Sequence, residues 1–441
     1  MSAFPKRHLP LLAIAAVLVA VISILFLRPA APVSPVTPAG KPSVSPEPPE
    51  PPALSMLATR PDWSALEVYQ ETISRDEFER LLTTVFTTGN AWQTSISIDE
   101  TGAEIQTGNS PEEGTFRLRF AAAGQETAAP RHWRTTSEQP PAPPEKPLDG
   151  LRIAIDAGHI GGTWAKMEER WFILDGGTPV CEGDMTLHVA NLLKPRLEAL
   201  GAQVSLVRTK PEPVTTTRPE SLHTLAQDSA TPDDSPAALQ RLAERLFYRT
   251  AEIRARADLV NQSLKPDLVL CLHFNAEAWG NPNNPTLVDR THLHLLLNGA
   301  YNDEEVGLAD QRFALLKKLL QRTHQEEVIV GSTVADRFAR ISGLPAYTYQ
   351  ADSPNVRPVA GEPFLWVRNL LANRLYDCPV IFMEPYVMNS TKDYTRIQAG
   401  DYDGLREVGG TMQPSIFREY ADVLTEGLAE HYAKGRAAAA R

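Results

Sequence analysis

Three apolar runs in this chain each end in a side chain that can bind a metal or carry a proton. Leu151, Ile153 and Ile155 alternate ahead of Asp156-Ala157-Gly158-His159; Leu268, Leu270 and Leu272 alternate ahead of His273; Val380-Ile381-Phe382-Met383 runs unbroken into Glu384. Such runs predict strands, half-buried where the period is two and core strands where it is continuous. In an open α/β sheet the carboxyl ends of the strands collect on one rim, and ligands bind there. Residues more than a hundred positions apart then meet without any local motif. Glu182 arrives differently, just ahead of a helical pattern of Leu193, Leu197 and Leu200 that stops at Gly201, with Pro195 predicting a kink or break.

Two histidines and one glutamate complete a zinc site with an open position, and a second glutamate can serve it as general acid/base. Each residue has a plainer reading. A strand-end histidine is commonly a hydrogen-bonded structural residue, and Glu182 near a helix start is favoured by the macrodipole. Glu384 is different, because a carboxylate between an apolar strand and Pro385 costs desolvation energy if it has no task.

At these residues the sequence resembles the zinc-dependent N-acetylmuramoyl-L-alanine amidases of bacterial cell-wall turnover. The matching stretches are Asp156-Ala157-Gly158-His159-Ile160-Gly161-Gly162, Glu182-Gly183-Asp184-Met185-Thr186-Leu187, Cys271-Leu272-His273-Phe274-Asn275 and Pro379 to Glu384. GAQVSLVRT at 201–209 resembles the family's second strand, Arg254 to Asn261 the helix before the histidine strand, and Asn389 follows Glu384 where the family often has Asn. The resemblance covers about residues 150–435. It implies one zinc ion held by His159, Glu182 and His273, with Glu384 as catalytic acid/base and Asp156 and Asn275 as candidates for hydrogen bonds to ligands or substrate. Loop closure by Asp156 and turn capping by Asn275 are the plainer alternatives.

The departures from the pattern are specific. Ala157 stands where proline is usual and Ile160 where glycine is usual, so the loop carrying His159 is expected to take a different shape. The stretch between His159 and Glu182 is long, and Glu168 and Glu169 lie in it as rival ligands. Glu182 is preferred because the run it opens resembles the helix at the family ligand. Further insertions fall at about 211–247, 276–290 and 330–365, where substrate-shaping elements and plain loop growth are the two readings. His292 and His294 share one strand face and are read as cleft-lining residues rather than ligands. Cys181, Cys271 and Cys378 form no Cys-x-x-Cys pair and are read as free thiols.

The front of the chain sets the compartment. Lys6-Arg7-His8 precede a charge-free, almost wholly apolar stretch from Leu9 to Leu27, which at helical rise just spans a hydrocarbon core, and no small-x-small cleavage site follows it. The expected order is a cytoplasmic tip at 1–8, a transmembrane anchor or uncleaved signal at 9–27, and a Pro-rich linker at 28–53. A small α+β module of unknown role follows at 54–136, then a second Pro-rich linker at 137–149 and the catalytic domain at 150–437. That domain is expected to be α/β, an open, mixed, largely parallel sheet flanked by helices. In the module, Ser74-Arg75-Asp76-Glu77 predicts a capped helix with Phe78, Leu81, Leu82 and Val85 on its face, and Thr94–Ile98 and Thr115–Phe120 alternate as strands.

The expected location is therefore the cell envelope, either periplasmic on an inner-membrane anchor through residues 9–27 or secreted after cleavage. The expected substrate is peptidoglycan, and a regulatory protein partner is a further expectation. A net charge of −11 argues against nucleic acid. Two other functions compete: a zinc-dependent hydrolase of another stem-peptide bond, and a degenerate amidase that binds wall or regulates without cutting.

Overall fold

In this computed structural model the chain is described over residues 54–439, apart from residues 230, 232 and 233. The expected membrane span at 9–27 and the linker at 28–53 lie outside the described residues. Among the described residues no helix is long and apolar enough to cross a membrane.

The first segment supplies a three-stranded antiparallel sheet in the order of its chain: β1 (Ile96–Ile98), β2 (Gly102–Gln106) and β3 (Thr115–Arg119). Its helix Arg75–Leu81 runs on through a π-turn, Leu82–Phe86, and buries Phe78, Leu81, Leu82 and Val85 as the spacing predicts. The expected cap is absent. Ser74 precedes the helix without a side-chain hydrogen bond, and Glu77 instead pairs with Arg80 at 2.8 Å. The strand expected from Thr94 starts only at Ile96, because Trp92–Ser95 turns as a short helix, and β2 is a strand that the sequence pattern does not predict. Guanidinium groups of the later chain bond to this segment, among them two that each reach two carbonyls. Arg312 donates to the carbonyls of Gln106 and Gly108, and Arg357 to those of Thr83 and Thr88.

The larger sheet is mixed and mostly parallel. Its strands are β4 (Arg152–Ala157), β7 (Gln203–Leu206), β8 (Leu268–Leu272), β9 (Leu293–Leu297), β10 (Val356–Pro358), β11 (Leu365–Arg368) and β12 (Val380–Pro385), while β5 (Trp171–Phe172) and β6 (Val180–Cys181) form a separate small hairpin. Spatial order is β10-β11-β9-β12-β8-β4-β7. β7, β4, β8 and β12 run parallel, β9 turns antiparallel against β12, and β10 closes the edge antiparallel to β11. Three adjacent parallel strands, β12, β8 and β4, thus bring Glu384, His273 and His159 to one rim.

Alternation decides which side chains meet which layer. Ile153, Ile155, Leu270, Leu272 and Ile381 face the helices Glu182–Ala199, Thr323–Ser342 and Ile416–Ala439, whose Leu193, Leu197, Val330, Val334, Leu424 and Leu428 fill the same core. Ala154, Val269, Cys271, Val380 and Phe382 face the opposite layer, where Ala257, Val260 and Ala372 pack. Each large aliphatic side chain buried in this way contributes roughly 1.5–3 kcal/mol.

Of the kink or break expected at Pro195, the break does not occur: Glu182–Ala199 is continuous. Pro195 and Asn191, whose carbonyl loses its partner, both face solvent, so water can satisfy that carbonyl while Leu193 and Leu197 stay buried.

Candidate metal centre

The rim is built from the loop after β4. Ala157 ends the strand, Gly158 follows, and His159 takes a left-handed backbone with φ +59°. A non-glycine residue there is strained, which costs on the order of 1 kcal/mol and must be held by its surroundings. Two groups hold it. The Arg256 guanidinium donates to the carbonyls of Ala157 (2.9 Å) and His159 (2.7 Å) and to Asp156 (2.8 Å), and the Thr186 hydroxyl donates to the Gly158 carbonyl at 2.6 Å. Gly158 is needed for close approach, since a Cβ there would lie 2.3–2.6 Å from three atoms of the His273 ring.

Ile160, the residue in place of glycine, is fully buried among Leu222, Ala226, Ala243, Leu246 and Phe247. All five belong to the insertion at 211–247, so the altered loop and the inserted helices form one small core. The stretch before Glu182 has its own purpose. Glu168 curls back to accept hydrogen bonds from the amides of Ile160 (2.8 Å) and Gly161 (3.3 Å), and its other oxygen lies 3.7 Å from His159 Nδ1.

With Nδ1 facing Glu168, His159 presents Nε2 to Glu182 Oε2 at 3.1 Å. His273 presents Nδ1 to Glu182 Oε1, also at 3.1 Å, and its ring stacks on Phe382 with centroids 4.2 Å apart. Glu182 opens its helix just after β6, its amide bound to the Arg170 carbonyl, and its Oε1 accepts from the Phe274 amide at 3.2 Å. The Arg170 guanidinium lies 3.4 Å from Oε2. Among the described residues His159, Glu182 and His273 are the group of metal-type ligands brought together, with their ligand atoms all within 4.8 Å.

The electrostatics match that layout. Burial opposes ionisation of Glu182, but the two imidazoles hold its carboxyl well below the usual range. Burial also opposes the His159 cation, yet the Glu182 and Glu168 carboxylates raise it to about 9, whereas burial lowers His273. Glu384 is pushed up to about 8 by burial and by the Glu182 carboxylate.

The donor set fits a zinc-type ion. A tetrahedral ion at ordinary zinc distances separates its ligand atoms by about 3.3 Å, close to the two contacts made by Glu182. Two neutral nitrogens and one carboxylate oxygen suit zinc better than calcium or magnesium. The centre opens on a cleft of about 400 Å³ lined by Glu384, Asn275, Glu277 and Trp279.

Of the further candidates, Asp156 reaches no imidazole. Its carboxylate accepts from Arg256 and from the Tyr376 hydroxyl (2.5 Å), so it acts on the loop rather than on a ligand. Asn275 lines the cleft and contacts His294 at 3.4 Å; its side-chain oxygen accepts the Ala276 amide in its own turn, and its backbone carbonyl accepts the amide of Met388 beyond β12. His294 lies opposite Glu384 in the strand register and meets Tyr349 at 3.2 Å, while His292 lies 3.7 Å from Glu277. The three cysteines are free. Sequence reasoning missed Glu168 as a partner of His159, and missed Arg170 entirely. Both sit in a segment without periodicity, and the length of that insertion was the only signal.

No protein-family model and no curated protein matches the chain. Solved structures do. The N-acetylmuramyl-L-alanine amidase Ami1 from Mycobacterium smegmatis aligns at 16% identity over 65% of this chain and 99% of its own, with a TM-score of 0.37. The CwlD amidase from Clostridioides difficile, in complex with the GerS lipoprotein, aligns at 14% over 63% and 96%, with a TM-score of 0.34. AmiC2 of Nostoc punctiforme, an N-acetylmuramoyl-L-alanine amidase, aligns at 15% over 64% and 97%, with a TM-score of 0.29. The chain, with its His159–Glu182–His273 centre at the rim of a mixed sheet, is similar to these amidases.

Proposed function

We propose that this chain is a zinc-dependent hydrolase of peptidoglycan that cuts the amide between the lactyl group of N-acetylmuramic acid and L-alanine of the stem peptide. The observation that carries the metal and the hydrolysis is the Glu182 carboxylate shared between His159 Nε2 and His273 Nδ1 at 3.1 Å each, with Glu384 on the neighbouring strand lining the same cleft. The choice of bond is supported by the four ordered motifs that resemble the amidase family.

His159, Glu182 and His273 would hold the ion. When bound, zinc supplies positive charge that polarises an amide carbonyl and acidifies water. Every other task falls to the chain. The Glu168 carboxylate, 3.7 Å from His159 Nδ1, favours by its charge the tautomer protonated there and so leaves Nε2 as the free lone pair, as carboxylates behind metal-binding histidines do. Phe274 N–H and Arg170 hold the Glu182 carboxylate in place. Glu384 takes the proton of the attacking water and returns it to the leaving nitrogen, which a cleft-lining carboxyl beside the ligands is placed to do. The apolar stretch 9–27 supports export on an inner-membrane anchor, which puts this chemistry in the periplasm beside its substrate.

Mass spectrometry of peptidoglycan digested by the purified protein tests the reading. Free stem peptides that begin with L-alanine are the expected product. Glycan fragments with intact stems, or peptides cut within the stem, would refute it.

A further inference from the structure

Three stretches far apart in sequence meet in the small core beside the metal centre. The loop after His159 contributes Ile160, Trp164 and Met167, and the insertion contributes Leu222, Leu246 and Phe247. The third contributor is a strap at residues 55–57, whose Met56 and Leu57 pack against the same core. Glu168, which accepts the amides of Ile160 and Gly161 and faces His159, comes directly after Met167. The segment that bears one ligand and its carboxylate neighbour is thus seated on a core that the strap helps to close.

A polar route runs from the same strap. The Ser55 amide donates to Asp310 Oδ1 at 2.8 Å and the Ser55 hydroxyl donates to Oδ2, while the Arg254 guanidinium lies 3.4 Å from that hydroxyl and 3.8 Å from Asp310. Arg254 stands two residues before Arg256 on the helix Glu252–Asp258, and Arg256 holds the carbonyls of Ala157 and His159. The strap therefore touches both the apolar and the polar support of the ligand loop. Its own backbone is strained. Leu57 is left-handed at φ +60°, in a turn closed by the Ala58 amide on the Ser55 carbonyl at 3.0 Å. A non-glycine residue keeps that conformation only where its surroundings hold it, so a strap that leaves its seat relaxes rather than lingering half in place.

We propose that the strap at 55–57 is a positioning element of the metal centre. Seated, it fixes the His159 loop and Glu168 in the geometry that binds the ion; displaced, it frees the Ile160 core and the ion site loosens. The inference rests on the proposed zinc chemistry and adds a structural input to it from outside the cleft. The strap is the first described part of the chain after the Pro-rich stretch 28–53, so the end of that stretch and the ion site share one seat.

Two readouts on the full chain test it: zinc affinity by chelator competition, and hydrogen exchange of the segment 158–168 in the zinc-free protein. Leu57→Asn tolerates the left-handed backbone but gives up the apolar contact, and Met56→Ser removes the neighbouring one; both positions are part-exposed. Each is expected to weaken zinc roughly tenfold and to speed exchange at the Ile160 and Gly161 amides severalfold. Met56→Leu, which keeps the volume, is expected to hold zinc like wild type. Leu118→Ala, buried in the three-stranded sheet and outside the Ile160 core, is expected to lower the melting temperature and leave both readouts unchanged. Strap variants that bind zinc as tightly as wild type would overturn the proposal, as would a Leu118→Ala that weakens zinc as much as they do. The two readings fail separately. A wild type that binds zinc and cleaves muramoyl amides, with strap variants of equal affinity, loses the strap and keeps the function. In a protein that took up no zinc the function would fall, and the exchange comparison alone would decide whether the strap holds the loop, unchanged rates refuting it.

Discussion

Replacing Glu168 by glutamine isolates the contribution of a group behind the ligands. The carboxylate is 3% exposed, accepts the amides of Ile160 and Gly161, and lies 3.7 Å from His159 Nδ1. Glutamine keeps an oxygen for the two amides and loses only the charge. At that separation a unit charge pair is worth about 4 kcal/mol at an effective dielectric near 20, which is the ceiling for the effect. Losses of this kind weaken metal binding by roughly 10–100-fold, or about 1.4–2.8 kcal/mol. Glu168→Ala does more, since it orphans two buried donors at about 1–3 kcal/mol each. Competition of each variant with a chromophoric chelator for zinc gives the affinity, and thermal unfolding of the zinc-free proteins gives the structural cost. The expected order is wild type, then Glu168→Gln, then Glu168→Ala in both measurements. A Glu168→Gln protein that holds zinc as tightly as wild type would refute the claim that Glu168 orients His159 for the ion.

Glu384→Gln is expected to keep fold and zinc content while turnover falls by about 10²–10⁴, as for loss of a general base; a variant that retains a tenth of wild-type kcat would remove Glu384 from the mechanism. Gly158→Ala drives a methyl into the His273 ring, which cannot retreat because it stacks on Phe382, so a loss of zinc and roughly 1–3 kcal/mol of stability should appear in metal analysis and melting. Glu327 predicts a pH dependence remote from the centre. Burial raises its carboxyl to about 7, only partly offset by Lys318, and its Oε2 has no hydrogen-bond partner among the described residues. Between about 4.5 and 7 the unfolded chain has released this proton and the folded chain has not, so this group makes stability fall as pH rises through that window and contributes no further slope above it. Glu327→Gln should therefore match wild type near pH 4.5 and exceed it at pH 8 by on the order of 3 kcal/mol in urea titrations, and equal stabilities at pH 8 would contradict the assignment.

Much of the rim was legible because strands that alternate apolar residues announce both their existence and their ends. Leu151 to Ile155 and Leu268 to Leu272 carry that signal, and parallel packing of β12, β8 and β4 converts three strand ends into one locus. Glu182 was readable through the helix it opens. Glu168 and Arg170 were not, because loop residues have no periodicity and their partners are known only once the chain has folded back. The departures at Ala157 and Ile160 were visible as departures, but their meaning was not. That Ile160 completes a core with the inserted helices needs the three-dimensional positions of Leu222, Leu246 and Phe247. Pro195 does not break its helix for a physical reason: a rule about missing donors is weak where the orphaned carbonyl faces water.

The clamp on His159 also has a consequence in time. Arg256, which holds the carbonyl of His159, comes 97 residues after it, and His273 comes later still. During vectorial synthesis the first ligand is thus made long before anything can stabilise its left-handed backbone, and the inserted helices that bury Ile160 must arrive in between. The nascent chain has no competent ion site until the eighth strand and the turn beyond it have emerged. The three ligands are together only once residue 273 has emerged, so capture of metal by a shorter nascent chain is disfavoured by the order in which its parts appear.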